Sequence, residues 1–244
     1  MKIPAERALA LARKELYSSF YAPAFYGITA FFLLFLSVWL FYFQQFFTMD
    51  AASLRPYFSA FPLAFTMAIP VITMKSWAEE RKLGSVELLL TMPFSEWDLV
   101  VGKFLAAFCQ LAVMLILTIP LPLSLFPLGF FDKGVVIGEY AGVFLLGASA
   151  TALGLLLSSL CKNQAAAFLG SAVALLFVML VDLVTKSIEL PLQLAEGINF
   201  ISLSYHFQSF SQGTLDSRDL AFFILTAFLF LFLNTRVILF RKWR

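Results

Sequence analysis

The densest run of reactive side chains lies between two long apolar stretches, from Lys75 to Asp98. Lys75, Arg81, Lys82 and, just beyond, Lys103 stand among Glu79, Glu80, Glu87, Glu96 and Asp98. Adjacent carboxylates can do acid–base work when a nucleophile or a histidine stands by them. Here the supporting cast is missing. The chain has one histidine, His206, and two cysteines, Cys109 and Cys161, both within or at the end of apolar runs. A lone histidine without clustered cysteines or carboxylates makes no metal site, so none is expected, and His206 reads as a polar residue at an outer interface. The cysteines read as buried thiols behaving as small hydrophobes. Gly102-Lys103 runs straight into Phe104 without the upstream glycine loop that would cradle phosphates. Gly84 is placed to end a helix. Ser85 can cap a short helix through Leu90, and Pro93 closes it. Ser95 and Asp98 form a capping box for the next apolar run. The result is an apolar knob, Leu88, Leu89 and Leu90, flanked by Glu79, Glu80, Arg81 and Glu87. Such a knob suits a pocket on a partner protein; the alternative is a loop helix lying on a bilayer.

Composition dictates the elements that position this loop. Hydrophobic residues make up 61% of the 244 and charged residues 13%, with 30 phenylalanines and a mean hydropathy of +0.89. Soluble domains carry about 25% charged residues, so a soluble enzyme, a disordered linker and a DNA-binding domain are all excluded. A net charge of +2 gives no reason to expect a nucleic-acid partner. Runs of about 20 apolar residues mark membrane spans. Six are expected, at about 24–46, 56–75, 100–126, 138–161, 164–185 and 219–240. Helices are the default because lipid leaves no backbone amide unpaired, and the runs lack the alternation of a barrel. Pro120, Pro122 and Pro127 break the outer end of the third. Most basic residues collect on one side, at the N-terminus, near Lys75–Lys103, at Lys162 and at the C-terminus. Only Arg55, Lys133, Lys186 and Arg218 fall on the other. The positive-inside rule then puts both termini in the cytoplasm.

Residues 3–20 read as an amphipathic helix, with Ala5, Leu9, Ala12, Leu16 and Phe20 on one stripe and Glu6, Arg7, Arg13 and Lys14 off it. Such a helix can lie in the interface, apolar face down, as an anchor or as a docking surface. The apolar run behind it is too long for a signal-peptide core and is read as an uncleaved first span. A tight turn at Lys162–Asn163 makes spans four and five antiparallel neighbours. Ala150, Gly154 and Ser158 on one, and Ala166, Gly170 and Ala174 on the other, are small residues at a spacing that permits close approach, within the chain or between subunits. Asp182 has Lys186 four residues on, which predicts a local ion pair. The outer segment 187–217 is too long for an unstructured loop.

Together these motifs resemble a known pattern. Glu79-Glu80-Arg81, Gly84-Ser85-Val86-Glu87-Leu88-Leu89-Leu90, Pro93 and Gly102-Lys103 look like the first cytoplasmic loop of ABC-2 type permeases, with Ser85 where threonine is commoner. Gly154 through Ser158-Ser159-Leu160 to Asn163-Gln164-Ala165 also matches. His206, Phe207, Phe210 and Gly213, followed by Asp216 and Asp219-Leu220, are most similar to the gliding-motility and nitrous-oxide-reductase-maturation permeases. The resemblance covers nearly the whole chain, and implies one ABC-2 transmembrane domain over residues 1–244 of an all-α integral membrane protein in the bacterial inner membrane. It implies that residues 76–98 hold a coupling helix, that residues 3–20 form an elbow helix, and that residues 187–217 are re-entrant. It implies a separate ATPase subunit that holds ATP and Mg, a second permease copy or paralogue, and export. Two other readings compete with it. An ATP-independent channel or assembly scaffold would leave the loop signature without a role. Glu79-Glu80 is also similar to the Glu-Glu-x-x-x-Arg motif of membrane CAAX-type proteases, but Gly84 stands where arginine is required, and one histidine does not suffice.

Overall fold

The computed structural model describes residues 4–48, 53–84, 95–129, 131–187, 197–211, 213 and 216–242. Among them every regular element is helical. Helix α1 covers Pro4–Phe20, α2 Pro23–Val38, α3 Arg55–Phe58, α4 Phe61–Lys82, α5 Glu96–Thr118, α6 Pro120–Leu125, α7 Lys133–Leu160, α8 Gln164–Ser187, α9 Leu203–Ser211 and α10 Ser217–Lys242. Six stretches are long and apolar enough to cross a membrane: Pro23–Phe43, Arg55–Lys82, Glu96–Leu125, Lys133–Leu160, Gln164–Asp182 and Ser217–Phe240. Residues 85–94, which contain Ser85, Glu87, Leu88, Leu89, Leu90 and Pro93 of the expected coupling helix, lie outside the described residues.

Local chemistry explains the element ends. Gly84 takes φ +69° just after α4, the left-handed conformation that glycine supplies without steric cost. Ser95 starts α5 with a reciprocal capping box, its Oγ accepting the Asp98 amide at 3.1 Å while Asp98 accepts the Ser95 amide at 3.1 Å. Pro120 begins α6 where α5 stops. The first span ends in a π-helical turn, Trp39–Phe43.

Helices α4 and α7 form the buried centre, with α2, α5, α8 and α10 around them. Phenylalanine has two roles here. Phe32, Phe58, Phe61 and Phe65 are fully buried. Phe32 stacks on Phe65 at 5.9 Å, and Phe58 meets Tyr140 edge-on at 5.0 Å. Phe31, Phe177, Phe228 and Phe240 face outward, as lipid permits.

Burial bears on several expectations. The buried face of α1 is Ala8, Leu11 and Ala12, while Leu9 is 65% exposed; the helix packs sideways on α5. Glu6, Arg13 and Lys14 are exposed, and the side chains of Ala5 and Arg7 are outside the described set. Cys109 is exposed on the outer surface rather than buried, and Cys161 is half-buried at the end of α7. Gly154 makes its close approach to α4, not to the following span. On α8 the buried ridge is Ala167, Ser171, Leu175 and Met179. Ala166 is exposed, and Gly170 and Ala174 are half-buried beside that ridge.

Candidate functional site

The site begins with Gly102 and Lys103 near the start of α5. A Cβ at Gly102 would sit 2.9 Å from the Ala8 carbonyl oxygen and 2.9 Å from Leu11 Cδ2. Only glycine lets α1 rest on α5 this closely. The next residue then ties the contact. Lys103 is 1% exposed. Its ammonium donates to the Ser76 carbonyl at 2.6 Å, to Glu80 Oε1 at 2.8 Å and to Glu15 Oε1 at 3.1 Å. A lysine ammonium has three donors, and all three are used. The nitrogen also lies 4.8 Å from the centre of the Trp77 ring, a cation–π contact in a desolvated setting. One buried cation thus joins α1, α4 and α5, with two carboxylates around it.

The three consecutive residues Glu79, Glu80 and Arg81 leave α4 in three directions, as a turn of about 100° per residue requires. Glu80 goes inward to Lys103. Arg81 reaches the end of α7, where its guanidinium donates to the Leu160 carbonyl at 3.1 Å, the Ser159 carbonyl at 3.4 Å and the Cys161 carbonyl. Those carbonyls have no partner within their own helix, and a cation there opposes the negative end of the helix dipole. Glu79 does neither and lines a cleft beside α1. Ser158 adds a second tie between α7 and α4. Its hydroxyl accepts the Trp77 amide at 3.2 Å and the Ala78 amide at 3.4 Å and faces the Met74 carbonyl at 3.3 Å. The small residues of α7 therefore seat its end against α4, with Ala150 buried one turn before Gly154. On α1, Arg13 contacts the Tyr17 hydroxyl at 3.5 Å. That contact pushes its already high pKa further up, so the exposed cation persists at any physiological pH.

Arg81→Ala is expected to cost about 1–2 kcal/mol locally, the range for a charged helix-end contact. Amide exchange at residues 157–163 should then quicken by roughly tenfold. Arg81→Lys should recover part of this. Unchanged exchange would mean that water satisfies these carbonyls equally well.

The opposite end of the bundle has its own polar cluster. Expected at an interface, His206 is instead buried at 5% exposure. Its Nδ1 is 2.6 Å from Asp219, its Nε2 is 3.1 Å from the Phe200 carbonyl, and its ring stacks 3.7 Å from Phe222. The spacing of His206, Phe207 and Phe210 is the inner face of α9, packed on α7. A Cβ at Gly142 would come within 2.7 Å of Phe210 Cβ. Gly213 has φ +75°. Asp182, also buried, accepts the Gln208 amide at 2.7 Å and lies 3.5 Å from the Ser202 hydroxyl; the side chain of Lys186, its expected partner, lies outside the described residues. Glu139 escapes sequence reasoning, because it stands at the edge of the uncharged run that starts at Tyr140. It is 1% exposed, and its Oε1 has no hydrogen-bond partner among the described residues. Glu15 escapes it too, because the signal for it is not local: it needs the fold to bring it to Lys103.

Two curated relatives, each named a probable multidrug ABC transporter permease YbhR and found in Escherichia coli strain K12 and in Escherichia coli O157:H7, are 27% identical over 143 residues. That match covers 58% of this chain and 38% of theirs, so the chain matches well under half the length of these relatives. Residues 9–239 match the family described as ABC-2 family transporter protein. That is nearly the whole chain, and the protein therefore belongs to the ABC-2 family as a multi-pass transporter membrane subunit.

Proposed function

We propose that this chain is the permease subunit of an ATP-driven exporter, which passes work from a separate ATPase subunit into its transmembrane helices. One observation carries the reading: three interhelical ties converge at the base of the 85–94 loop. Lys103 holds the end of α4 to α1 and α5, and Arg81 and Ser158 hold it to α7. A push on that loop would reach four helices without slack, because a tie made of filled hydrogen bonds transmits displacement. In this mechanism both termini and the loop lie in the cytoplasm. The Leu88–Leu90 knob enters a cleft on the ATPase, oriented by Glu79, Glu87 and neighbouring charges. ATP and Mg bind and react only in the partner. Its closure moves the loop and α1 together, and a second permease copy or paralogue supplies the other half of the pathway. The setting is a bacterial inner membrane. The pattern from His206 to Leu220 supports a place near the gliding-motility and nitrous-oxide-reductase-maturation permeases. Apolar walls favour an apolar or amphipathic cargo, and the names of the Escherichia coli relatives support drugs among the candidates.

The test is a tagged pull-down in mild detergent from the native membrane, wild type against Glu87→Arg combined with Leu89→Asp. A co-purifying ATPase subunit with ATP hydrolysis is expected for wild type, and its loss for a variant that still folds. A folded wild type that brings down no ATPase would overturn the reading.

A further inference from the structure

A cleft of about 340 Å³ opens between α1, α2 and α4, and it shares Glu15, Ser76 and Glu80 with the Lys103 cluster. Its size falls within the range of small-ligand sites. Its apolar lining includes Phe25 and Ile28 from α2 and Val71 from α4. Its charged lining includes Lys14, Lys75 and Glu79. None of the three has an ion-pair partner within 4 Å among the described residues. The cleft's other two carboxylates, Glu15 and Glu80, are already engaged by Lys103.

The order of groups along α4 is the informative part. Val71, Lys75 and Glu79 are spaced four apart and share one face, each about 6 Å further along the helix than the last. From the hydrocarbon outward the wall reads apolar, cation, anion. An ethanolamine phospholipid reads acyl chain, phosphate, ammonium in the same direction. Lys14 on α1 adds a second cation to the same cleft, as basic pockets for lipid headgroups do. We infer that this cleft binds one membrane phospholipid with a primary-ammonium headgroup, its phosphate at Lys14 and Lys75, its ammonium at Glu79, and its first acyl carbons against Phe25, Ile28 and Val71. The lipid would fill the seam between α1 and the first two spans. This goes beyond the permease reading, and its test does not involve the ATPase.

The full chain is reconstituted in nanodiscs containing equal amounts of ethanolamine and glycerol phospholipids, then released into detergent. Retained lipid is counted by native mass spectrometry. Wild type should keep one ethanolamine phospholipid at roughly tenfold preference. Lys14→Gln with Lys75→Gln should abolish retention, and Glu79→Gln should bring the two headgroups near parity. Ile28→Trp fills the floor and leaves every charge in place; it should also expel the lipid, which guards against a charge variant that misfolds. Equal retention of both headgroups by wild type, a preference for the glycerol lipid, or retention unchanged in Ile28→Trp would each overturn the assignment.

Discussion

Lys103→Ala should unfold the basic end of the bundle well before the rest. Removing the ammonium leaves Glu15 and Glu80 facing each other without their shared cation, with side chains 22% and 16% exposed. Breaking a buried pair by deleting one partner typically costs about 3–5 kcal/mol, because a charge is left without compensation. Residual exposure of both carboxylates favours the lower end, about 3 kcal/mol. The Ser76 carbonyl also loses a donor, and the Trp77 ring its cation. These losses share one atom and do not add. In a chain of this length about 3 kcal/mol is roughly a 6–12 °C drop in melting temperature, readable by thermal denaturation in detergent. Two companions separate charge from volume. Lys103→Met combined with Glu80→Gln removes the cation and one orphaned charge together and should recover much of the loss. Lys103→Arg should not rescue fully, since a planar guanidinium cannot meet three acceptors arranged around a tetrahedral ammonium. If Lys103→Ala melts with wild type, the cluster is a surface pair in effect, and force transmission through it fails.

The spans were legible because lipid imposes one strict demand, about 20 apolar residues per helix with every amide paired. The caps were legible because Gly84, Ser95 and Asp98 act on their nearest neighbours. What resisted was the choice of face. In a soluble helix the apolar stripe is the buried one, but a membrane helix can present apolar groups to lipid or to protein with nearly equal ease. Leu9 and Ala8 look alike as apolar residues of α1, yet Leu9 is exposed and Ala8 is buried. The stripe of Ala166, Gly170 and Ala174 illustrates the same point: small size permits approach, within the chain or between subunits, but does not say which. Polar residues failed differently. His206 finds Asp219, Asp182 finds Gln208, and Lys103 finds Glu15, and each pairing crosses from one helix to another. Composition flagged the atoms that needed partners and could not say which partners would arrive. Glu139 is the clearest omission, a buried carboxylate of the sort that marks function in membranes.

Gly154→Leu should be the most damaging change in the centre of the bundle, and it also separates the two stripes of small residues. A Cβ alone at Gly154 would sit 2.6 Å from Thr73 Oγ1, 3.1 Å from Thr73 Cγ2 and 3.2 Å from Ile69 Cγ2. Neither neighbour can yield easily. Both Thr73 and Ile69 are fully buried, both are β-branched and stiff at χ1, and the Thr73 hydroxyl is held by the Ile69 carbonyl at 2.9 Å. Overpacking a close-packed core costs about 1–3 kcal/mol and sometimes more, and leucine extends well beyond that Cβ. With no side chain free to move, α7 must separate from α4, and one turn along that separation breaks the Ser158 bonds to Trp77 and Ala78. Loss of folded yield, or a drop in melting temperature at least as large as that of Lys103→Ala, is the expected result. Gly170→Leu on α8 is the control. Among the described residues, a Cβ there meets only Cys161 Sγ within 4 Å, at 4.0 Å, so the isolated chain should tolerate it with a melting shift near zero. If Gly170→Leu spares the monomer yet weakens its association with a second permease, measured by single-molecule photobleaching in nanodiscs, the α8 stripe serves a subunit contact. Equal damage from the two substitutions would mean that small residues on both helices pack inside one chain, against the geometry found for α8.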